Sequence, residues 1–212
     1  MIKTWSFPEF NMKIPSTYNL KPAFQRLLMP VLKALHRAGV SPNALTWLAI
    51  AWSAVLGWMF VKGFANPDWY FAITLGLLLR MVLNALDGMM ARQYEMTSTS
   101  GAYLNELGDV VSDALVMWPL ALFPGVHAGW VGGLLWLAAL NEMTGVLGGW
   151  LAGERRYEGP MGKSDRTLVW GVFCLLLGAG VEVTSWVEPA IAVVMICLVL
   201  STFIRIWKAL RP

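Results

Sequence analysis

The stretch NALDGMMARQYEMTSTSGAYLNELGD occupies residues 84–109 and lies between two apolar segments. Its charged and amide side chains include those of Asn84, Asp87, Arg92, Asn105, Glu106 and Asp109, and Asp113 follows one helical turn later. Charged groups at the ends of membrane helices are costly, so this cluster indicates a function rather than packing. The short turn inside the stretch also predicts that the flanking helices are antiparallel neighbours.

The composition of the chain indicates a membrane protein. Of its 212 residues, 57% are hydrophobic and 14% are charged, and the mean hydropathy is +0.57. A soluble domain cannot bury that much apolar surface, so the surrounding solvent must be lipid. A net charge of +3 is too small to indicate a nucleic acid partner. We expect no cleavable signal peptide, because residues 1–20 lack an apolar core.

Six apolar stretches are long enough to cross a bilayer, which takes about 20 helical residues. We place these spans near residues 43–63, 69–91, 100–123, 128–152, 166–184 and 188–207. Backbone groups in hydrocarbon must bond internally, and no alternating barrel pattern occurs, so the sequence predicts an all-α integral membrane protein. We expect two regions, an N-terminal segment at 1–40 and a six-helix transmembrane domain at 41–212.

The segment before the first span predicts an amphipathic helix on the membrane surface. The apolar side chains that share one helical face are Phe24, Leu27, Leu28, Val31 and Leu35. Arg26, Lys33 and Arg37 lie toward the other face, which suits an anionic lipid surface. We expect this helix to bend at Pro30 and to end at Gly39.

Basic residues concentrate in alternate connections and predict the orientation of the chain. Six lie in the N-terminal segment, four in the 153–166 loop and three near the C-terminus, whereas the last opposite connection carries Glu182 and Glu188. Both termini and the polar stretch at 84–109 are therefore expected on the cytoplasmic side of an inner or plasma membrane.

Four polar side chains of the stretch fall on facing stripes of the second and third spans. Asn84 and Asp87 share one stripe, and Asn105 and Asp109 share the other. Carboxylate and amide oxygens that converge in this way suit a hard divalent cation, and we expect Mg²⁺. No cysteine or histidine joins them, which argues against zinc.

Residues 84–109 resemble the signature of the CDP-alcohol phosphotransferase family, which runs D-x2-D-G-x2-A-R-x8-G-x3-D-x3-D. The positions that match it in identity and spacing are Asp87, Gly88, Ala91, Arg92, Gly101 and Asp109. Asn84 and Asn105 stand where the family has its first and third aspartates. A weaker likeness extends to Asn43, Thr46 and the stretch GKSDRT at residues 162–167.

The resemblance implies an enzyme that transfers a phosphatidyl or other phosphoalcohol group from a CDP-linked lipid to an alcohol acceptor, with release of CMP, in phospholipid biosynthesis. We expect CDP-diacylglycerol as donor, Mg²⁺ or Mn²⁺ as cofactor, and a homodimer. The implied metal ligands are Asn84, Asp87, Asn105 and Asp109, with Asp109 as catalytic base. The implied nucleotide-binding residues are Asn43, Thr46, Asp87, Gly88, Ala91, Arg92 and Gly101.

The basic loop at 153–166 leaves two interpretations open. Arg155, Arg156, Lys163 and Arg166 could hold a phosphate on the acceptor alcohol, because a helix N-terminus adds N–H donors to the cations. The same residues could instead serve only the orientation of the chain. The sequence does not identify the acceptor, and glycerol 3-phosphate, inositol phosphate and serine all stay open.

The two asparagines raise a second hypothesis. An amide retains an oxygen for a metal but lacks the negative charge, so a second metal would be held less well. The alternative is a catalytically impaired relative that binds nucleotide or lipid without turnover. The intact matching positions favour the enzyme. A transporter would place its acids near the midplane and repeat the motif, which occurs only once here.

Four further ionisable residues lie in or near the spans. Arg80 and Glu142 lie deeper in their spans, and we expect them to form a structural ion pair between the second and fourth spans. The roles of Glu106 and Asp113 stay open. Each could be an extra metal ligand, or its side chain could be only solvated or hydrogen-bonded without binding a metal.

Overall fold

The computed structural model describes residues 21–211, and the chain is helical throughout its regular structure. Its helices are α1 (Lys21–Arg37), α2 (Pro42–Gly63), α3 (Asp68–Gln93), α4 (Thr99–Met117), α5 (Ala128–Ala152), α6 (Lys163–Gly178) and α7 (Val187–Ala209). A short 3-10 helix, Trp118–Leu122, continues α4. No strand occurs within the described residues. The predicted all-α class is confirmed.

Four helices are long and apolar enough to cross a membrane, namely α2, α3, α5 and α7. They match the predicted spans at 43–63, 69–91, 128–152 and 188–207 to within two residues. The helices α4 and α6 are shorter, at 19 and 16 residues, and they carry Asp109, Asp113, Lys163 and Arg166, which are discussed below.

The predicted third and fifth spans end earlier as α-helices than expected. The α-helical part of the third ends at Met117, because Pro119 lacks an N–H group and its ring would clash with the preceding turn. The fifth ends at Gly178, and Gly180 then adopts a left-handed conformation with a φ of 73°. Helical structure in the third span continues to Leu122 as a 3-10 helix, one residue short of the predicted end at 123. The predicted end of the fifth span at 184 was wrong.

Only part of the apolar face of α1 packs against the rest of the protein. Leu28 and Leu32 are buried in a cluster formed with residues of α2 and α3, whereas Leu27 and Val31 stay exposed. Pro30 lies inside a continuous helix. Residues 1–20 lie outside the described residues, and so does the expectation that they form no signal peptide.

Small residues allow α2 to pack closely on its neighbours. A Cβ atom added to Gly57 would lie 2.2 Å from the carbonyl oxygen of Leu115, so the backbones of α2 and α4 are in contact there. At the other end of α2, a Cβ added to Gly108 would meet Thr46 and Ile50 at 3.3 and 3.0 Å. These contacts bring the first turns of α2 against the region of α4 that carries Asn105.

We predict that Gly57→Ala destabilises the protein, whereas Gly132→Ala does not. A Cβ at Gly132 meets no atom within 4 Å, so alanine there should only raise helix propensity. At Gly57 the added methyl forces α2 and α4 apart, which costs about 1–3 kcal/mol. Thermal unfolding of the detergent-solubilised protein checks this, and equal midpoints for the two variants would contradict the close packing.

Candidate functional site

Asp87 lies near the end of α3, where α2, α3 and α4 meet, and it is only 3% exposed. The hydroxyl of Thr46 donates a hydrogen bond to Asp87 Oδ2 at 3.0 Å, and Asn105 Nδ2 donates to the same oxygen at 3.3 Å. Asp87 Oδ1 is buried and has no hydrogen-bond partner among the described residues. An unpartnered carboxylate oxygen in a buried position is costly, so this atom is suited to receive a ligand.

Helix caps fix the positions of the residues around Asp87. The hydroxyl of Ser41 accepts from the N–H of Ala44 at 3.2 Å, and Pro42 occupies the first position of α2. The hydroxyl of Ser98 accepts from the N–H of Gly101 at 3.0 Å and begins α4. The start of α2 at the SPN stretch, which holds Thr46 one turn inside the helix, therefore follows from local sequence.

The predicted nucleotide-binding residues gather at the same place. A Cβ on Gly101 would lie 2.9 Å from Asn43 Oδ1, so the starts of α2 and α4 are in contact. A Cβ on Gly88 would lie 3.3 Å from the guanidinium nitrogens of Arg92, which therefore lies across Gly88. Arg92 is exposed and Ala91 is half-buried. The structure brings these residues together with Thr46 and Asp87.

Asp109, the predicted base, lies on α4 and contacts the ammonium of Lys163. Lys163 is the first residue of α6, whose start is held by a hydrogen bond from the N–H of Gly162 to Asp165 Oδ2 at 3.1 Å. Asp109 was predicted to bind the metal and Lys163 to bind the acceptor, so the contact places these two predicted functions side by side. Asn84 is half-buried on α3, one turn before Asp87.

A buried network of charges lies beyond Asp109. Asp113 Oδ1 accepts from Arg80 at 2.6 Å, and Asp113 Oδ2 accepts from Arg166 at 2.6 and 3.0 Å. Arg166 also donates to Glu142 at 2.9 Å. Three of these side chains, those of Arg80, Asp113 and Arg166, are almost fully buried. The network joins α3, α4, α5 and α6.

The expected ion pair between Arg80 and Glu142 was wrong. Arg80 pairs with Asp113, and Glu142 pairs with Arg166 and with Arg155 at 3.4 Å. The charges of α3 and α5 are bridged by α4 and α6 instead of meeting directly. Glu106, whose role was open, contacts Arg155.

The loop that carries Arg155 and Arg156 is tied back to the helices. Arg156 lies 3.2 Å from Glu154 and 3.6 Å from Glu158, and the carbonyl of Glu158 accepts from Arg205 of α7 at 3.2 Å. Burial raises the pKa of Glu158, but backbone N–H groups and nearby Lys208 lower it by more, so the net pKa is below its usual range. The loop therefore has defined anchors on α7.

Sequence reasoning missed two features of this region. It did not pair Lys163 with Asp109, and it did not foresee that the polar residues Asn141 and Arg205 are buried between α5 and α7. The signal for the second feature was present, because amide and guanidinium groups inside an apolar helix are rare. The first had no local signal, since 54 residues separate its members.

Comparisons with known proteins point in one direction. The sequence model of the family described as CDP-alcohol phosphatidyltransferase matches residues 39–204. The chain is 37% identical to the inner membrane protein YnbA of Escherichia coli over 169 residues, which are 80% of this chain and 84% of that protein.

The fold is similar to that of a phosphatidylinositol phosphate synthase from Mycobacterium tuberculosis. The structure of that enzyme with manganese and citrate gives a TM-score of 0.69 at 19% identity, over 85% of this chain and 87% of the other. Its structure with CDP-DAG bound gives a TM-score of 0.65 at 19% identity, over 87% and 94%.

We predict that Asp113→Asn destabilises the protein strongly. The substitution leaves two buried arginines without their shared carboxylate, and breaking a buried pair costs about 3–5 kcal/mol. The matched control is Glu154→Gln, which removes an exposed partner of Arg156 and should cost about 0–1 kcal/mol. Thermal unfolding in detergent measures both. A loss for Asp113→Asn no larger than that of the control would contradict the network.

Proposed function

The chain belongs to the CDP-alcohol phosphatidyltransferase family, and on that premise we propose that it transfers a phosphoalcohol group from a CDP-linked lipid to an alcohol hydroxyl, releasing CMP. CDP-diacylglycerol is the proposed donor, in keeping with the CDP-DAG bound to the M. tuberculosis synthase. The observation that carries the proposal is the buried carboxylate of Asp87 on α3, which Thr46 and Asn105 hold by one oxygen while the other lacks a hydrogen-bond partner among the described residues. Asp109 follows Asn105 one turn later on α4 and contacts Lys163.

The residues of the site fit a divalent cation. Asp87 Oδ1 is a buried oxygen that lacks a hydrogen-bond partner within residues 21–211. That part of the chain holds no group of three or more acidic, histidine or cysteine side chains suited to a metal, so amide oxygens must complete the protein ligands. We propose Mg²⁺ or Mn²⁺, held by Asn84, Asp87, Asn105 and Asp109. When bound, the cation would neutralise and orient the pyrophosphate of the donor.

The chain itself supplies the proton acceptor. The acceptor hydroxyl attacks the phosphorus that carries the lipid alcohol, a new P–O bond forms, and the bond from that phosphorus to the CMP oxygen breaks. The hydroxyl proton passes to the carboxylate of Asp109, which is the role we propose for it. The ammonium of Lys163 contacts this carboxylate.

The nucleotide is proposed to lie between the first turns of α2 and the ends of α3 and α4. Gly88, Ala91 and Gly101 admit the base and ribose because they carry small side chains or none. Arg92 is exposed and can form charge-assisted hydrogen bonds with a phosphate. We propose Asn43 and Thr46, on the first turns of α2, as further nucleotide contacts, because they touch Gly101 and Asp87.

The acceptor is proposed to bind on the side of the site where α6 and the 153–162 loop lie. We retain Arg155, Arg156, Lys163 and Arg166 as its binding residues, which would suit an acceptor that itself carries a phosphate. Arg166 is 2% exposed and already pairs with two carboxylates, so its part is best understood as positioning. Arg155 is the more accessible test of direct contact, at 24% side-chain exposure.

We further propose that the 41–212 domain crosses the membrane six times, as α2 to α7. In this arrangement α4 and α6 tolerate hydrocarbon because their deep charges neutralise one another. Both termini and the site would face the cytoplasm, the 1–40 segment would lie at the membrane surface, and two chains would form a homodimer. Basic residues at the ends of α1, α6 and α7 support this orientation.

We predict that Asp109→Asn abolishes CMP release and leaves CDP binding within about twofold, whereas Asp87→Asn impairs both. The amide of the first variant cannot accept the hydroxyl proton, and the second removes a charge that serves the cation. Purified protein with CDP-diacylglycerol, Mg²⁺ or Mn²⁺ and a panel of alcohols provides the assay, with CMP and lipid products measured.

Two results would contradict these assignments. Near-normal turnover in Asp109→Asn together with collapse in Glu106→Gln would transfer the role of base to Glu106. Tight CDP binding by the unmodified protein, with no CMP released for any alcohol, would indicate a binding protein rather than an enzyme.

We predict that Arg155→Gln raises the KM for the acceptor by about tenfold to a hundredfold, which is the loss of one charged hydrogen bond of about 1.5–3 kcal/mol. The KM for CDP-diacylglycerol should change by less than about twofold, because the donor lies on the other side of the site. Arg211→Gln, at an exposed position after α7, is the matched control. Equal changes in both KM values would limit the loop to setting the orientation of the chain.

A further inference from the structure

The candidate site carries less negative charge than its four oxygen-bearing positions suggest. Asn84 and Asn105 are neutral, so Asp87 and Asp109 supply the only charges at these positions. The ammonium of Lys163 contacts Asp109. The formal charges of these two carboxylates and one ammonium sum to −1.

The amide of Asn105 is oriented by Asp87. Its Nδ2 lies 3.3 Å from Asp87 Oδ2, an atom that can only accept, so the amide hydrogens must face the carboxylate. Asn105 thus stabilises the charge of Asp87 at a position where a third carboxylate would repel it. Oxygen Oδ2 is then shared between Asn105 and Thr46, and Oδ1 alone lacks a partner among the described residues.

One divalent cation already reverses this balance, from −1 to +1. A second would be placed beside both the first cation and the Lys163 ammonium, in a buried setting where like charges repel strongly. The ammonium holds the side of the site at Asp109, while the unpartnered oxygen of Asp87 marks the other side.

From this geometry we infer that the chain binds a single divalent cation, with Asp87 Oδ1 as its principal ligand, and that the Lys163 ammonium, which lies on Asp109 Oδ1, occupies the place of a second cation. The inference rests on the proposed function for the presence of a metal at this site. It assigns Lys163 a role distinct from binding the acceptor. Lys163 would also explain why two asparagines are tolerated. A site that holds one divalent cation and one ammonium needs fewer carboxylates than a site that holds two divalent cations.

Counting bound Mn²⁺ tests the inference without measuring activity. The full chain is purified in a neutral detergent, freed of metal with a chelator, and titrated with Mn²⁺ in the presence and absence of CDP. The electron paramagnetic resonance signal of free Mn²⁺ gives the number bound per chain. We expect one. Two, or none, in the unmodified protein would overturn the inference.

Variants separate the contribution of Lys163 from that of the asparagines. Asn84→Asp with Asn105→Asp should still bind one Mn²⁺, because Lys163 is retained. Adding Lys163→Met, which keeps the length of the side chain but removes its charge, should raise the number to two. Two ions bound before Lys163 is changed, or one after, would show that the ammonium does not exclude the second cation.

A single variant covers the case in which the triple variant does not fold. Lys163→Met alone changes the local charge from −1 to −2 and should tighten the one Mn²⁺ by about tenfold or more, as removal of a nearby like charge predicts. Lys208→Met removes a lysine from the last turn of α7 and should leave the affinity unchanged. Equal affinities in the two variants would refute the assignment of Lys163.

The same protein sample distinguishes this inference from the proposed function. CMP release from CDP-diacylglycerol together with two bound Mn²⁺ would leave the function standing and remove the inference. One bound Mn²⁺ that responds to Lys163→Met, without CMP release for any alcohol, would uphold the inference and remove the function.

Discussion

The carboxylate of Asp113, shared by Arg80 and Arg166, is the interaction on which the rest of the site depends. An isolated charge buried away from water is expensive, so the three groups stabilise the fold only together. Asp113 lies one turn from Asp109 on α4, and Arg166 lies one turn from Lys163 on α6. The pairing of Asp113 with Arg166 therefore also holds Asp109 and Lys163 close together, because each lies one turn earlier on the same helix.

A second set of contacts positions Asp87 against the start of α2. Ser41 and Ser98 cap α2 and α4, and these caps determine where Thr46 and Asn105 stand along their helices. Both side chains then donate to one oxygen of Asp87 and leave the other without a partner. The capping of two helices thereby leaves one buried carboxylate oxygen of Asp87 without a hydrogen-bond partner among the described residues.

Two of the helices that form the site, α4 and α6, are not among those long and apolar enough to cross a membrane. The four helices with membrane-spanning length and apolarity supply a frame, whereas α4 and α6 contribute Asp109, Asp113, Lys163 and Arg166. Their charges are neutralised in pairs across the interfaces between helices. Packing at glycine positions such as Gly57 brings the helices close enough for short ion pairs, so close packing and electrostatics support one another in this fold.

The sequence by itself determined the helical class, the positions of four spans to within two residues, and the family signature around Asp87 and Asp109. These features follow from hydropathy over about 20 residues and from fixed spacing along one or two helices, which are local properties. Only the tertiary structure decided that Arg80 meets Asp113 rather than Glu142, and that Lys163 meets Asp109. Residues 33 and 54 positions apart are joined by the lateral order of helices, which no short-range pattern encodes.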